Sequence, residues 1–178
     1  MVAPARAWRF ESSPGHNNMR DTTLIFLIKK TDGKVTGICL AMKKRDFGMG
    51  KWNGAGGKIY KGESIIKCLE RETKEELGVV IKNFYKVAEL SFTFSLKHEW
   101  DQKTHVYLCE EWEGEPSESE EMNPKWFTVD QIPFDHMWSD DVFWLPQVIN
   151  GEFVKGEFTF GEGDKILEQK VEIVLEFR

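Results

Sequence analysis

Residues 56–80 read GGKIYKGESIIKCLERETKEELGVV, a stretch that decides the fold because it combines a glycine pair with a strongly acidic helix pattern. Ser64 is a typical helix N-cap, and Gly78 suits the left-handed position after a helix, so the spacing predicts a helix over residues 65–77. The two glycines before it lack Cβ atoms and therefore let the backbone approach a ligand closely.

The acidic residues of this helix do not all belong to a solvated face. Like charges four residues apart repel on a helix, so the ordinary interpretation is an exposed stripe with nearby lysines in compensation. At 100° per residue, however, Glu72 and Glu76 fall within about 20° of the apolar Ile65, with Glu75 near the edge of the same arc. Ionised carboxylates facing a core are costly unless they are paired or bind a metal. Such a cluster of hard oxygen ligands predicts a magnesium or manganese site.

The same stretch resembles the Nudix box, G-x5-E-x7-R-E-U-x-E-E-x-G-U, in which U is a bulky aliphatic residue. The residues that match are Gly57, Glu63, Arg71, Glu72, Glu75, Glu76 and Gly78. Thr73 departs from the pattern, but its shape is close to that of Val, so the helix is expected to persist. The resemblance implies a hydrolase that cleaves a nucleoside diphosphate linked to another group.

Composition restricts the class of protein. A chain of 178 residues with 40% hydrophobic and 30% charged residues is expected to form one globular domain. Three cysteines without CxxC spacing indicate a reducing compartment. The longest apolar run, residues 24–28, is too short to cross a bilayer. We therefore expect a cytoplasmic protein without a membrane partner, and leave mitochondrial or nuclear fractions open.

Charge is distributed unevenly along the chain. The net charge of −6 argues against a nucleic acid polymer as partner. Residues 43–61, however, contain six basic side chains against the single acid Asp46. A basic segment beside a carboxylate cluster suits a polyphosphate bridged by divalent cations. A solvated lysine-rich loop is the alternative interpretation.

Periodicity predicts mixed strands with a helix on each side, which indicates a layered α/β sandwich. The resemblance implies the same fold, an α/β/α sandwich with a mixed β-sheet of the Nudix type, over a Nudix hydrolase domain at residues 20–178. Residues 1–19 lack a sustained apolar period and contain Pro4 and Pro14, so they are predicted to form a disordered N-terminal extension, with a transit peptide left open. Strands are predicted at 22–29, 35–43, 84–95, 103–111, 125–129, 153–160 and 165–176, and helices at 65–77 and 140–150.

Beyond the box, the resemblance extends from about Thr22 to the C-terminus, through MKKRDFGMGKWNGAGGK, SEEMNPKWFTVDQIPF and HMWSDDVFWLP. These stretches are similar to Nudix enzymes that hydrolyse oxidised purine nucleoside triphosphates such as 8-oxo-dGTP. The implied reaction is attack of water on phosphorus, which releases a monophosphate and pyrophosphate and sanitises the nucleotide pool. A monomer is expected. The alternatives are a Nudix hydrolase of dinucleoside polyphosphates, ADP-ribose or capped RNA, and a non-catalytic nucleotide-binding module.

Several side chains could recognise the base. Asn53 can read a purine edge through its carboxamide, although Asn-Gly is also a common turn. Trp138 offers a stacking face, although a lone Trp is more often part of a core. Ala55 and Gln102 depart from the related enzymes and are expected to alter the pocket, which leaves open the preference among oxidised guanine, oxidised adenine and alkylated purines. The remaining candidate substrate contacts are Lys43, Phe47, Phe92, Phe94 and, from the resemblance, Thr23.

Asp140 and Asp141 have two competing interpretations. Acids in the first turn of a helix can cap its free N–H groups. Alternatively, two crowded carboxyls cannot both ionise easily, so one keeps a proton and the pair offers a donor and an acceptor to the base. The resemblance favours the second interpretation.

The resemblance also implies roles for the acidic residues. Mg²⁺, with Mn²⁺ as a substitute, is expected as cofactor. Arg71 would orient a glutamate through charge-assisted hydrogen bonds. Glu72 would be a metal ligand or the general base, and Glu121 a ligand or an activator of water, although the SESEE run that contains Glu121 could also be a solvated loop. The implied metal ligands are the Gly56 carbonyl, Glu72, Glu75, Glu76 and Glu121.

Overall fold

The computed structural model describes residues 19–177, so the predicted disordered extension lies outside the described residues except for Met19. Eight strands form a single mixed sheet, with two α-helices beside it. The strands are β1 (Arg20–Thr31), β2 (Lys34–Lys43), β3 (Trp52–Asn53), β4 (Val80–Phe94), β5 (Gln102–Glu113), β6 (Met122–Thr128), β7 (Phe153–Phe160) and β8 (Ile166–Val174). The helices are α1 (Ile65–Leu77) and α2 (Asp141–Ile149).

The strand order is β3-β2-β1-β5-β4-β7-β8, and β6 also pairs with β2. The pairs β1–β5 and β4–β7 are parallel, whereas the other neighbours are antiparallel. Asp32 and Gly33, both with positive φ, form the predicted turn between β1 and β2. This pairing puts β1 in the interior of the sheet, where its side chains alternate between two covered faces.

The two helices cover opposite faces of the sheet. Ile25 and Leu27 of β1 belong to the same buried cluster as Leu69 of α1. Phe26 of β1 packs in the other cluster, with Trp144 of α2. The predicted α/β/α sandwich with a mixed sheet is therefore confirmed.

Helix α1 begins and ends where the sequence predicts. The Ser64 hydroxyl accepts the N–H of Lys67 at 3.2 Å, and Gly78 adopts a left-handed φ of 76°. Thr73 is buried within the helix, and its hydroxyl donates to the carbonyl of Leu69 at 2.6 Å. This intrahelical bond satisfies the extra polar group, so the departure from the box leaves the helix unbroken.

Two elements differ from the sequence prediction. Strand β4 starts at Val80 rather than residue 84, because register shifts before Phe84 and Ala88 interrupt the alternation of side chains. Strand β3 has only two residues and therefore carries no period from which it could be predicted. In the part of the chain that the structure describes, neither helix has the length and apolar character needed to span a bilayer.

Candidate active site

A cavity of about 440 Å³ is lined by residues of α1, of several strands of the sheet and of the segment before α2. Its wall includes every predicted site residue except Arg71. Strands β1, β2, β4 and β5 contribute to the wall, together with the loop after β2. The structure therefore brings together residues that span most of the described chain.

Glu76 is the most deeply buried of the box glutamates, with 3% of its side chain exposed. Its carboxylate accepts the N–H of Gly56 at 2.9 Å and the ammonium of Lys43 at 3.2 Å. Burial raises the pKa of Glu76, although both of these contacts favour the ionised form. The inward direction predicted for Glu76 is confirmed.

Lys43 joins two acidic residues that are distant in sequence. Its ammonium lies 3.2 Å from Glu76 and 3.0 Å from Glu121. Burial alone would lower the pKa of Lys43, but hydrogen bonds to these two carboxylates outweigh it and raise that pKa. Arg45 also donates to Glu121 at 2.8 Å, and together with Lys43 it lowers the pKa of Glu121. Glu121 is thus drawn to the cavity instead of standing free in a solvated loop.

Arg71 organises the outer acids of the box. Its guanidinium holds both oxygens of Glu63, at 2.8 and 2.9 Å, and donates to Glu72 at 2.7 Å. The bond from Arg71 lowers the pKa of Glu63 to about 2. Glu75 is only 3.4 Å from Arg71 but is 60% exposed, so it lies at the mouth of the acidic group.

Close approach requires a glycine at position 56. A Cβ atom on Gly56 would lie 2.0 Å from the carbonyl oxygen of Thr23, and one on Gly57 would lie 2.3 Å from Oε1 of Glu72. The first contact is with main chain that cannot move aside, whereas the second would displace the Glu72 carboxylate from its observed position. The glycines therefore allow the loop before α1 to sit directly between β1 and the box glutamates.

These residues fit a divalent cation in their chemistry. Within residues 19–177, no three Asp, Glu, His or Cys side chains converge tightly enough to form a preformed ion site. The Glu76 and Glu121 carboxylates nevertheless both bind one cationic group, the ammonium of Lys43. Carboxylate oxygens that already share a cation are suitable ligands for a hard metal ion.

Asp140 and Asp141 form the second acidic feature, here called the carboxyl pair. Both are buried at 3% exposure. Asp140 accepts the indole N–H of Trp144 at 2.9 Å, and Asp141 accepts the main-chain N–H of Trp138 at 3.1 Å. Asp140 makes no side-chain cap hydrogen bond, whereas Asp141 lies in the first turn of α2 and bonds back to a main-chain N–H three residues earlier, as in a capping box. The capping interpretation therefore does not apply to Asp140, but for Asp141 it is compatible with a position on the cavity wall.

Burial dominates the titration of the carboxyl pair. It raises the pKa of Asp140 to about 7, against the opposing effect of the Trp144 indole. Burial also raises the pKa of Asp141 well above its usual value, and the charge of Asp140 adds to the rise. Two such acids titrate as a pair, and both burial and their mutual repulsion favour a state in which the pair retains a proton.

The aromatic candidates form a continuous wall. Phe47 stacks on Trp138 with ring centroids 4.9 Å apart. Phe94 stacks on Phe160 with ring centroids 5.3 Å apart and is buried in the cluster that contains Trp144 of α2. Phe92 is half-buried and packs against the same cluster. Phe92 and Phe94 therefore belong both to the core and to the cavity wall.

Three polar candidates line the cavity, and two of them also contact neighbouring protein groups. Asn53 lines the cavity, while its Oδ1 accepts the N–H of Gly54 at 2.8 Å, so its turn role and its cavity position coexist. Thr23 also lines the cavity, but its hydroxyl lies against Cys68 at 3.4 Å. Gln102 reaches the cavity from the start of β5.

Ala55 itself does not line the cavity, although its neighbours Gly54 and Gly56 do. It pairs with Ile25 through two main-chain hydrogen bonds and is buried in the cluster beneath α1. The expected effect of its small size on the pocket stays a prediction.

Other cavity residues were not predicted from the sequence. Lys51 belongs to the basic segment that was noted, so its charge was a usable signal. Thr104 pairs its hydroxyl with that of Thr22 at 2.8 Å on the cavity wall. Four other cavity residues have no signal in the sequence beyond the ordinary core pattern of their strand or helix: Thr104, Met122, Trp144 and Phe160.

Comparison with known proteins agrees with this geometry. The family model described as NUDIX domain matches residues 19–147, which is more than half of the chain. The chain belongs to the Nudix family. Members of this family generally need a divalent metal, which accords with the acidic group around Glu76.

Two relatives of this Nudix chain carry the name oxidized purine nucleoside triphosphate hydrolase. The protein from Danio rerio is 42% identical over 137 residues, covering 77% of this chain and 87% of the relative. The protein from Mus musculus is 41% identical over 140 residues, covering 79% and 89%. Among solved structures, a mutator MutT protein from Bacillus halodurans superposes with a TM-score of 0.74 at 23% identity, covering 86% of this chain and 98% of that one, which supports the fold.

The carboxyl pair predicts how stability depends on pH. The folded pKa of Asp140 is about 7, so between about pH 4 and 7 the folded protein retains a proton that the unfolded chain has lost. The unfolding free energy should therefore fall by up to a few kcal/mol as pH rises through this window. Asp140→Asn should flatten the fall, as measured by urea unfolding at several pH values. The exposed Asp135→Asn serves as a control that keeps the wild-type slope. An unchanged slope in Asp140→Asn would contradict the assignment.

Proposed function

We propose that this protein is a magnesium-dependent pyrophosphohydrolase of oxidised purine nucleoside triphosphates, of the 8-oxo-dGTP and 2-oxo-dATP type, and that it sanitises the nucleotide pool. One observation carries the proposal: a single cavity contains both the box glutamates and a buried carboxyl pair beside an aromatic wall. The names of the similar fish and mouse proteins support the same substrate class.

The acidic group would supply the hydrolytic chemistry. The Gly56 carbonyl, Glu72, Glu75, Glu76 and Glu121 are the proposed holders of the metal. When bound, magnesium would offset the charge that develops on the phosphates and lower the pKa of the attacking water. Glu72 would act as a ligand or as the general base, and the 2.7 Å hydrogen bond from Arg71 supports an orienting role for that arginine. Lys43 would exchange its contacts with Glu76 and Glu121 for the phosphate chain.

The base would lie among Asn53, Trp138 and the carboxyl pair. Oxidised guanine carries a keto group and an additional N–H relative to guanine, so discrimination requires an acceptor and a donor in register. A carboxyl pair that shares one proton can provide both. Phe47, Phe92 and Phe94 would enclose the ring, and Thr23 would contact the substrate through the wall of β1.

The substrate is proposed to be a free nucleotide, with no nucleic acid polymer or membrane as partner. The net charge of −6 supports this proposal, because it disfavours the backbone of DNA or RNA. We also propose that the protein is a monomer and that its hydrolase domain spans residues 20–178. The proposed location is the cytoplasm, and additional mitochondrial or nuclear fractions are left open.

The products of hydrolysis test the reaction. With magnesium present, 8-oxo-dGTP should yield the monophosphate and pyrophosphate, which ion-exchange chromatography resolves. If the reaction is run in isotopically labelled water, the label should appear in one of these two products, because water attacks phosphorus. The same assay should include normal and alkylated triphosphates, ADP-ribose and capped RNA. Release of inorganic phosphate and a diphosphate would exclude the proposed bond. Faster cleavage of ADP-ribose or capped RNA would assign the protein to another Nudix substrate.

The metal site can be tested on α1 itself. Glu76→Gln removes a buried charge while preserving shape, so it should lower turnover by roughly 10²–10³-fold, as for loss of a major charge-stabilising group. It should also weaken manganese binding measured by electron paramagnetic resonance. Glu70→Gln changes an exposed acid on the same helix and should leave both quantities unchanged. Full activity of Glu76→Gln, or of the wild type in chelator, would contradict the metal site.

The carboxyl pair can be tested by base selectivity. Asp141→Asn prevents the pair from sharing a proton, and an unpaired buried polar group costs about 1–3 kcal/mol. We therefore expect kcat/KM for 8-oxo-dGTP to fall roughly ten- to hundredfold while kcat/KM for dGTP changes little. Thermal stability and manganese binding, measured in parallel, separate recognition from folding and metal effects. A loss of stability with an unchanged 8-oxo-dGTP to dGTP ratio would make the pair purely structural.

A further inference from the structure

Three segments that are distant in sequence meet beside the carboxyl pair. Lys51 precedes β3, Ser139 precedes α2, and Asp164 lies in the turn between β7 and β8. The Lys51 ammonium is 2.6 Å from Oδ2 of Asp164 and donates to the carbonyl of Met137 at 3.1 Å. It also lies 4.9 Å from the centroid of the Trp138 ring. A single ammonium thus contacts the turn, the segment before α2 and the aromatic wall.

Ser139 completes this set of contacts. Its hydroxyl donates to the main-chain oxygen of Asp164 at 2.6 Å and lies 3.2 Å from Oδ1 of the same residue. The Ser139 N–H also points to that Oδ1 at 3.5 Å. Asp164 therefore binds Lys51 through one carboxylate oxygen and Ser139 through the other. We call Lys51, Ser139 and Asp164 the brace.

The brace is connected directly to the groups that would read the base. Ser139 stands between Trp138 and Asp140 in the chain. Asp141 in turn accepts the main-chain N–H of Trp138 at 3.1 Å. A displacement of Ser139 must therefore move the aromatic ring and the carboxyl pair together. Lys51 and Asp164 are 28% and 31% exposed, so their ion pair adds little to stability by itself, and its value lies in the geometry it fixes.

We propose that Lys51, Ser139 and Asp164 are positioning residues that set the base selectivity of the cavity by holding Trp138 and the carboxyl pair in register with the purine. This inference rests on the proposed function of the cavity. It assigns to the turn between β7 and β8, which carries none of the predicted site residues, a part in choosing the substrate.

The charges of the brace also face the carboxyl pair. Besides each other, the charged groups that act on Asp140 and Asp141 are Asp164, which favours their protonated forms, and Lys51, which favours their ionised forms. Loss of Lys51 alone leaves the negative charge of Asp164, so the pair should hold its proton to higher pH. Loss of Asp164 alone leaves the positive charge of Lys51, so the pair should lose its proton at lower pH. These opposite shifts test whether the two charges act on the pair, whereas the selectivity ratio tests whether the brace positions it.

The experiment compares Lys51→Met, Asp164→Asn and the double variant with the wild type. The kcat/KM values for 8-oxo-dGTP and dGTP are measured across the pH range, and the carboxyl titration is followed directly by infrared spectroscopy. We expect the selectivity ratio to fall about tenfold in each single variant. The pH profile should move to higher pH in Lys51→Met and to lower pH in Asp164→Asn, and the double variant should return near the wild-type profile with selectivity still reduced.

Two further variants separate position from charge and from general damage. Ser139→Ala removes the hydroxyl contact without changing any charge, so it should reduce selectivity and leave the pH profile in place. Lys82→Met breaks the exposed ion pair with Glu113 and should change neither quantity.

Shifts of the same sign, or no shift, in the two charge variants would overturn the proposal, as would wild-type selectivity in Ser139→Ala. Failure of the wild type to prefer either 8-oxo-dGTP over dGTP or 2-oxo-dATP over dATP would instead refute the proposed function, so the two failures are distinguishable.

Discussion

The buried carboxylate of Glu76 is the constraint on which the acidic side of the cavity depends. A charge at this depth is tolerated only when its oxygens are paired, and here Gly56 and Lys43 pair them. One contact comes from the loop before α1 and the other from the end of β2. The carboxylate therefore fixes the helix, the glycine loop and the sheet relative to one another, and the other acids are arranged around that unit.

The same cavity tunes its acids in opposite directions. Arg45 and Lys43 lower the pKa of Glu121, while burial raises that of Glu76. Burial also raises the pKa of Asp140 to about 7. Acids that stay ionised suit cation binding, whereas acids that retain a proton suit hydrogen bonding to a neutral base. This separation allows one pocket to address the phosphates and the purine with the same functional group.

Much of the fold and of the candidate site could be predicted because local rules agree with one another. The limits of α1 follow from Ser64, Gly78 and the apolar period, and each is visible in a short window. The family box identifies its own acids for the same reason. Prediction failed where a short stretch of sequence carries no clear pattern. Strand β3 has only two residues, and β4 contains register shifts. The position of Ala55 in the core beneath α1 depends on its pairing with Ile25, which no short stretch of sequence shows.

The sequence by itself determined the helix with its inward glutamates, the alternating strands and the presence of two adjacent acids before α2. Those features depend on the spacing of side chains along one element. The fold was needed to establish that Glu75 lies at the cavity mouth, that Asp140 bonds to the Trp144 indole, and that Lys51 contacts Asp164, 113 residues away in the chain. Contacts of this kind depend on which strands pair and how the connecting turns close, and no local period carries that information.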